Sequence, residues 1–453
     1  MNSINENPLG YEKISKLLKS FAFPSITATL VSSLYNIIDQ IFIGQGVGYL
    51  GNAATNVSYL LSTICLAMAL LIGIGSSSRF SICLGRGDTE QAAKIVGNGI
   101  LLMILLGSLY LILGELFLTP LLNIFGATCE VLPYARQYAG ITLLGMPFLI
   151  LTNGICNLIR ADGNHRYYMR SMASGAVVNT IMAPVFIFVF HWGIFGAALA
   201  TILGQLLSFA MAVRYLGMFR TIRLERDCFH IDARDCLRTC CAGIRSCVNQ
   251  LAITAVQVVL KNSLTYYGIQ SAYGEDIPLA ACGIVMKTNA ILLSIIVGIS
   301  QGVQPIIGYN FGARRYNRVK QAYCLAIGWN LVVSAIGFAL FQFFPRPIIS
   351  LFGSGEPLYF EFAVLFMRTF LFMAAVNGVQ LLSSNFFTAI GKAMKGLLLS
   401  LTRQVFFLIP LILILPLRFG IFGVLLAGPV ADFAAFVVSA ALVHKEFGRL
   451  KQE

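Results

Sequence analysis

ILLMILLGSLYLILGELFL, residues 100–118, and LLLSLTRQVFFLIPLILILPL, residues 397–417, decide the fold. As helices rising ~1.5 Å per residue, both reach across the ~30 Å hydrocarbon layer of a bilayer. Neither alternates polarity residue by residue, as the strands of an outer-membrane barrel would. Working outward from these two runs, comparable spans are predicted at 21–44, 53–78, 134–159, 169–190, 194–218, 246–269, 278–308, 319–344, 359–388 and 420–443. With the two quoted runs, assigned as 95–118 and 396–417, they make twelve transmembrane helices. Composition agrees: 57% of the 453 residues are hydrophobic and 11% charged, and mean hydropathy is +0.80. A soluble surface needs about a quarter of residues charged, so lipid must be the solvent for most of the chain. The polar stretch Met1–Ser20 does not read as a cleavable signal, so none is expected, and the first apolar run is expected to stay as a helix.

The formal charge of +13 is a matter of topology. When successive loops are assigned to alternate sides, most Lys and Arg fall on one side, including Lys13, Lys16, Lys19, Arg79, Arg86, Arg160, Arg166, Arg234, Arg238, Arg314, Arg315, Lys392 and Lys395. Arg136, Arg346 and Arg418 fall on the other. Basic loops mark the cytoplasmic side, so both termini are expected there, and the charge is not expected to serve a nucleic-acid partner.

The chain also reads as two copies of one half. Gly193-Ile194-Phe195-Gly196 recurs 227 residues later as Gly420-Ile421-Phe422-Gly423, and at the same offset Phe125-Gly126 recurs as Phe352-Gly353. Ala53-Ala54 maps on Ala280-Ala281 and Gly85 on Gly312 at that offset, while Ala161 and Gly163 match Ala389 and Gly391 at 228. Six helices per half makes the repeats parallel, around an axis along the membrane normal. The expected organisation is an N-terminal lobe at 1–219, a cytoplasmic linker at 220–241 and a C-terminal lobe at 242–453, all-α, as two pseudo-symmetric six-helix bundles around a central cleft. Such an architecture suits alternating-access transport.

Three segments resemble multidrug and toxic compound extrusion (MATE) transporters, particularly the MepA-like bacterial branch: NIIDQIFIG at 36–44, ADGN at 161–164 and GISQGVQPIIGYNFGARRYNRV at 298–319. The resemblance covers essentially the whole chain. It implies a two-lobed antiporter, not an enzyme, that expels amphipathic, often cationic drugs and other xenobiotics and is driven by inward H⁺ or Na⁺. No cofactor or bound metal is implied beyond the coupling ion, and the resemblance implies a bacterial inner membrane, where the chain is expected to work as a monomer surrounded by membrane lipid.

Ionisable residues at membrane depth are functional candidates because they are costly there. Asp39 falls in the outer half of the first span, roughly 9 Å from its end, among Tyr35, Asn36 and Gln40. A carboxyl so placed could load and unload a proton, or ligate Na⁺ with neighbouring oxygens. The resemblance assigns cation coupling to Asp39. Asn179 and Thr201 match polar positions of the same site, which Asn157 and Asn153 could join. Some members carry Asn-x-x-x-Asp-Pro on the fifth helix; this chain reads Asn179-Thr180-Ile181-Met182-Ala183-Pro184, so the second carboxylate is missing. One carboxylate among neutral oxygens favours H⁺.

In the C-terminal half Lys261, Lys287 and Asp432 fall roughly 12, 13 and 18 Å from their outer helix ends and are expected to be buried, as an ion pair that fixes packing or as a second coupling site. Arg403, nearer the inner end, is expected to snorkel. Candidates for the substrate cleft are Gln40, Asn153, Met172, Met182, Gln257, Met286, Asn289, Phe372, Asn377 and Gln380, a set mixing adaptable apolar side chains with a few polar ones.

Other signals carry less. Gly46-Val47-Gly48-Tyr49-Leu50-Gly51 spells GxGxxG, but between two membrane helices and not after a strand. Cys228, Cys236, Cys240, Cys241 and Cys247 cluster near the linker without a CxxC pair, which reads as reduced thiols and not as a zinc site. Residues 229–241 could form an amphipathic helix on the membrane surface, with Arg234 and Arg238 near lipid phosphates. A lipid-linked saccharide flippase is the alternative; it should line its cavity with several Arg or Lys, and only Lys261 and Lys287 qualify.

Overall fold

The computed structural model describes residues 8–47, 49–125, 130–274, 276–351 and 357–449, and it is helical throughout, with no strand among them. Six long helices form the first half: α1 (Ile14–Gly46), α2 (Tyr49–Gly85), α3 (Thr89–Leu116), α4 (Leu132–Ala161), α5 (His165–Pro184) and α6 (Gly193–Tyr215). The second half has α7 (Ala233–Ile269), α8 (Asp276–Gly312), α9 (Tyr316–Phe343), α10 (Pro357–Phe370 and Ala374–Ala389), α11 (Ala393–Leu401, then a π-helical stretch to Leu408 and Ile409–Ile414) and α12 (Ile421–Arg449). Eleven described helices are long and apolar enough to span a membrane, and the two parts of α10, bent by 48°, make a twelfth.

Local chemistry sets where these helices start. Asp88 caps α3 by accepting from the Gln91 N–H at 3.0 Å. Asn164 caps α5 through the Tyr167 N–H at 3.2 Å, and Asp232 caps α7 through the Arg234 N–H at 2.8 Å. Repeat-equivalent turns use glycine alike. Gly193 and Gly420 enter α6 and α12 at φ +53° and +57°, and Gly163 and Gly391 follow α4 and α10 at +87° and +77°, backbone that a side chain would strain. Of the Phe-Gly repeat, Gly126, Phe352 and Gly353 lie outside the described residues, as does Gly48 of the GxGxxG stretch. Pro24, Pro147 and Pro305 ride inside continuous helices; Pro184 borders the π-helical Val185–Val189, and Pro410 follows the π-helical stretch of α11.

One end of the bundle, carrying Pro8 and Arg449, is sealed. There α1 lies on α8 and α2 on α7, with glycines at the crossings: a Cβ on Gly75 would sit 2.1 Å from the Thr239 carbonyl, one on Gly243 1.7 Å from that of Leu71, and one on Gly302 2.8 Å from the Ala22 Cα. The first turns of α7 are not a separate surface helix but continue into the span and pack on α2. Arg234 and Arg238 are exposed, but Asp235 turns inward and accepts from Arg79 of α2 at 2.6 Å. Arg79 also donates to the Asp235 carbonyl and to Thr239 Oγ1, both at 2.9 Å, so α7 is bolted to α2 from its first turn. Helix α1 changes neighbours along its length. Its inner half (Leu17, Leu18, Ala22) packs with Ile299, Val303 and Ile306 of α8, while Ile43 packs with Ala183 and Ile187 beside α6.

Candidate transport site

Towards the other end the lobes part. Thr29 donates to the Ser294 carbonyl at 2.8 Å, and the Ser33 and Ser294 hydroxyls share a hydrogen bond of 2.6 Å. Among the described residues these are the outermost hydrogen bonds between α1 and α8. Lys261 stands eighteen residues, or about five turns, beyond Gly243 on the same face of α7, yet Gly243 is pressed on α2 and Lys261 is exposed. Lys287, about two turns outward of Ser294 on the α1-facing side of α8, is exposed too. A face that is buried at one end and solvated at the other borders a cleft. Gln40, about two turns beyond Ser33, and Gln257, just inward of Lys261, lie along the same stripes and are half-buried.

The N-lobe wall holds the polar cluster around Asp39. The phenols of Tyr35 on α1 and Tyr138 on α4 lie within electrostatic reach of the carboxylate. Tyr138 shares a hydrogen bond with Thr201 of α6, and Thr201 Oγ1 accepts from Asn179 Nδ2 of α5 at 3.2 Å. Four helices thus converge. Asp39 Oδ1 and Asn179 Oδ1 are both buried without a hydrogen-bond partner among the described residues. Two unsatisfied acceptors in one cluster are what a proton or a small cation would satisfy. Asn36 stands at the edge, exposed, with Nδ2 on the Ser32 carbonyl at 2.7 Å. Tyr138 was not anticipated; sequence order puts it about a hundred residues from Asp39, and only its position near the outer end of α4 hints at a shared depth.

Other expected members do not join this cluster. Asn157 sits near the opposite end of α4, roughly 28 Å from Tyr138 along the helix, and accepts from Arg160. Asn153 is spent on the Leu149 carbonyl at 2.9 Å, one turn away. Arg160, read from sequence as a topological charge, is instead buried in the seal. It bonds Gln301 of α8, lies 4.8 Å from the Tyr168 ring centroid, and with Asn157, Gln304 and Ser78 lines a cavity of about 10 Å³.

The expected burial of Lys261 and Lys287 is corrected: both side chains are exposed, and among the described residues neither has an ion pair. Asp432 is buried, but its partner is Arg403 Nε at 2.5 Å. Arg403 does not snorkel, because the π-helical stretch that begins at Thr402 belongs to a segment of α11 packed against α12. Of the remaining cleft candidates, Met172, Met182 and Met286 are partly buried, each packed against the edge of a lobe core. Asn289 and Asn377 are buried, and Gln380 donates to the Leu399 carbonyl of α11 at 3.0 Å. Phe372 is exposed at the bend of α10, edge-on to Phe338 of α9 at 5.9 Å.

The duplicated helices have a counterpart in known proteins. The family model MatE matches the chain twice, at residues 24–185 and 254–414, one copy for each half. This chain belongs to the MATE family. A protein from Shewanella oneidensis named FAD transporter is 26% identical over 429 residues, covering 92% of each chain. The multidrug export protein MepA of Staphylococcus haemolyticus is 24% identical over 446 residues, covering 96% of this chain and 95% of that one. Among solved structures, one described as the outward-facing conformation of a multidrug resistance MATE family transporter superposes with a TM-score of 0.92 over 100% of both chains at 20% identity, which establishes the fold. As a MATE protein the chain is a multi-pass membrane transporter, and its two bundles are the two lobes of that fold.

Proposed function

We propose that this MATE protein is a cation-coupled antiporter that exports amphipathic compounds across a bacterial cytoplasmic membrane, with both termini inside. The observation that carries the coupling is the pair of buried, unsatisfied oxygens on Asp39 and Asn179, in a lobe wall that adjoins an outward-opening cleft. Proton binding at Asp39 would remove a charge and turn an acceptor into a donor, changing which neighbours α1 prefers. Since α1 packs on α8 at one end and beside α5 and α6 at the other, a change at Asp39 bears directly on the inter-lobe contacts. Protonation from outside would accompany cargo release, and proton loss inside would reset the site. A single carboxylate among neutral oxygens favours H⁺ over Na⁺. The relatives named for multidrug export and FAD transport support a cargo of organic molecules with aromatic character.

Efflux of a fluorescent cationic dye from proteoliposomes tests the reading. Wild type and Asp39→Asn are compared under an imposed pH gradient and then a Na⁺ gradient. Movement driven by the pH gradient and lost in Asp39→Asn is the expected result. Wild-type silence to both gradients across several dyes would overturn antiport and favour a lipid-linked saccharide flippase.

A further inference from the structure

The C-lobe wall of the cleft is positively charged and unbalanced. Lys261 lies eight residues from the end of α7 and Lys287 eleven residues from the start of α8, or roughly 12 and 17 Å of helical rise. An ammonium turned to hydrocarbon at such depth costs several kcal/mol, so both must be solvated through the cleft. Helical phase agrees, because Lys261 shares the face of Gly243 that meets α2, and Lys287 shares the face of Ser294 that meets α1. Lys261 also lies within electrostatic reach of Cys282 of α8, so α7 and α8 are neighbours at this depth.

Among the described residues no carboxylate pairs with either lysine. Asp432 is taken by Arg403, and Asp39 is turned into its own cluster with Tyr35 and Tyr138. Hydration alone does not account for lysines here, since Gln257 on the same stripe hydrates the wall without a charge. An unpaired pair of ammonium groups on one wall of a solvated cleft is complementary to a phosphate or carboxylate.

We propose that the cargo includes organic anions, with Lys261 and Lys287 as the residues that bind the phosphate or carboxylate. This rests on the transport reading above and names a cargo class for it. The two walls would then have separate tasks, cation coupling at Asp39 and anion recognition opposite, so cargo charge and coupling ion need not compete for one carboxylate.

Riboflavin and its 5′-phosphate, FMN, differ by one phosphate and test this directly through flavin fluorescence with purified protein in nanodiscs. Wild type should bind FMN at least about tenfold more tightly than riboflavin, and added salt should shrink the ratio. Lys261→Gln with Lys287→Gln should bring the ratio near one while leaving riboflavin binding unchanged, which also shows that the variant is folded. Lys261→Arg with Lys287→Arg should keep the preference. Equal wild-type affinities, no FMN binding, or an unchanged ratio in the double Gln variant would each overturn the proposal. The two readings separate cleanly. Gradient-driven dye efflux with no phosphate preference sinks the anion site alone; a phosphate preference with no gradient-driven movement sinks antiport and leaves the lysines standing.

Discussion

Gly85 and Gly312, 227 residues apart and equivalent in the internal repeat, touch each other across the seal. A Cβ on Gly85 would stand 3.0 Å from the Gly312 Cα, and one on Gly312 3.1 Å from the Gly85 Cα. The relation extends to their neighbours: the added Cβ would stand 2.1 Å from the Tyr309 carbonyl oxygen at Gly85 and 2.3 Å from that of Ile82 at Gly312, themselves 227 residues apart. The pseudo-two-fold axis therefore passes through the seam, where the lobes meet backbone to backbone with no side chain between.

It follows that Gly85→Ala and Gly312→Ala act alike. Either methyl forces the ends of α2 and α8 apart at an overpacking cost of about 1–3 kcal/mol in the sealed state only. Hydrogen exchange should show amide protection falling by roughly five- to a hundredfold at the inner ends of both helices, with the rest of each lobe unchanged. Wild-type protection in either variant would mean that the glycine contact does not hold the seal.

Much of this frame was legible in sequence, for a physical reason. Bilayer thickness fixes how long an apolar run must be, and duplication repeats whole motifs, so twelve spans and two halves follow from counting. The start of α7 was placed too late because nothing at Arg238 or Arg245 stops a helix that continues beyond the membrane; it begins at Ala233 behind its Asp232 cap. Azimuth is where sequence ran out. Depth along a helix matched Asp432 to Lys261 and Lys287, whereas the direction of each side chain pairs it with Arg403. Had Gly243 been known to face α2, the phase of α7 would have turned Lys261 to the cleft. The Asp39 cluster was half legible: Tyr35, Asn179 and Thr201 are there, Asn157 is not, and Tyr138 enters from α4.

The Arg403–Asp432 pair is a stability element. Side-chain exposure is 16% for Arg403 and 6% for Asp432, so deleting one partner strands a charge in a poorly solvated place. Asp432→Asn or Arg403→Gln alone should destabilise by about 3–5 kcal/mol, and replacing both with apolar residues of similar volume should recover most of that loss. Thermal unfolding in detergent across the double-mutant cycle measures it. Additive losses in the double variant would show that the two side chains do not stabilise one another.

Within the Asp39 cluster, Tyr138→Phe offers a finer test than removal of the carboxylate. It deletes the hydroxyl that Tyr138 shares with Thr201 and keeps the ring that packs near Ile43 and Ala183. If Tyr138 positions the cluster, gradient-driven dye efflux should fall by about tenfold and its pH dependence should move, while dye binding to the resting protein stays as in wild type. An unchanged pH profile would reduce Tyr138 to packing.

The Arg79–Asp235 pair should govern which end of the cleft is open. It joins α2 of one half to α7 of the other at the sealed end, with three hydrogen bonds from one guanidinium, and it must break if that end is to open. Both side chains are largely shielded, at 17% and 13% exposure, so the loss on opening is real but softened by the water that enters. Arg79→Gln or Asp235→Asn should shift the balance towards the inward-open form by about 2 kcal/mol, roughly a thirtyfold change in the ratio of the two forms. Spin labels at Lys94 on α3 and Arg238 on α7, both exposed, report the separation of the lobes in a background with native cysteines replaced. Each single variant should populate a longer distance than wild type, and the charge-swapped Arg79→Asp with Asp235→Arg should restore much of the short one. A short distance kept in both single variants would assign the seal to the glycine contacts alone and leave the ion pair a passenger on it.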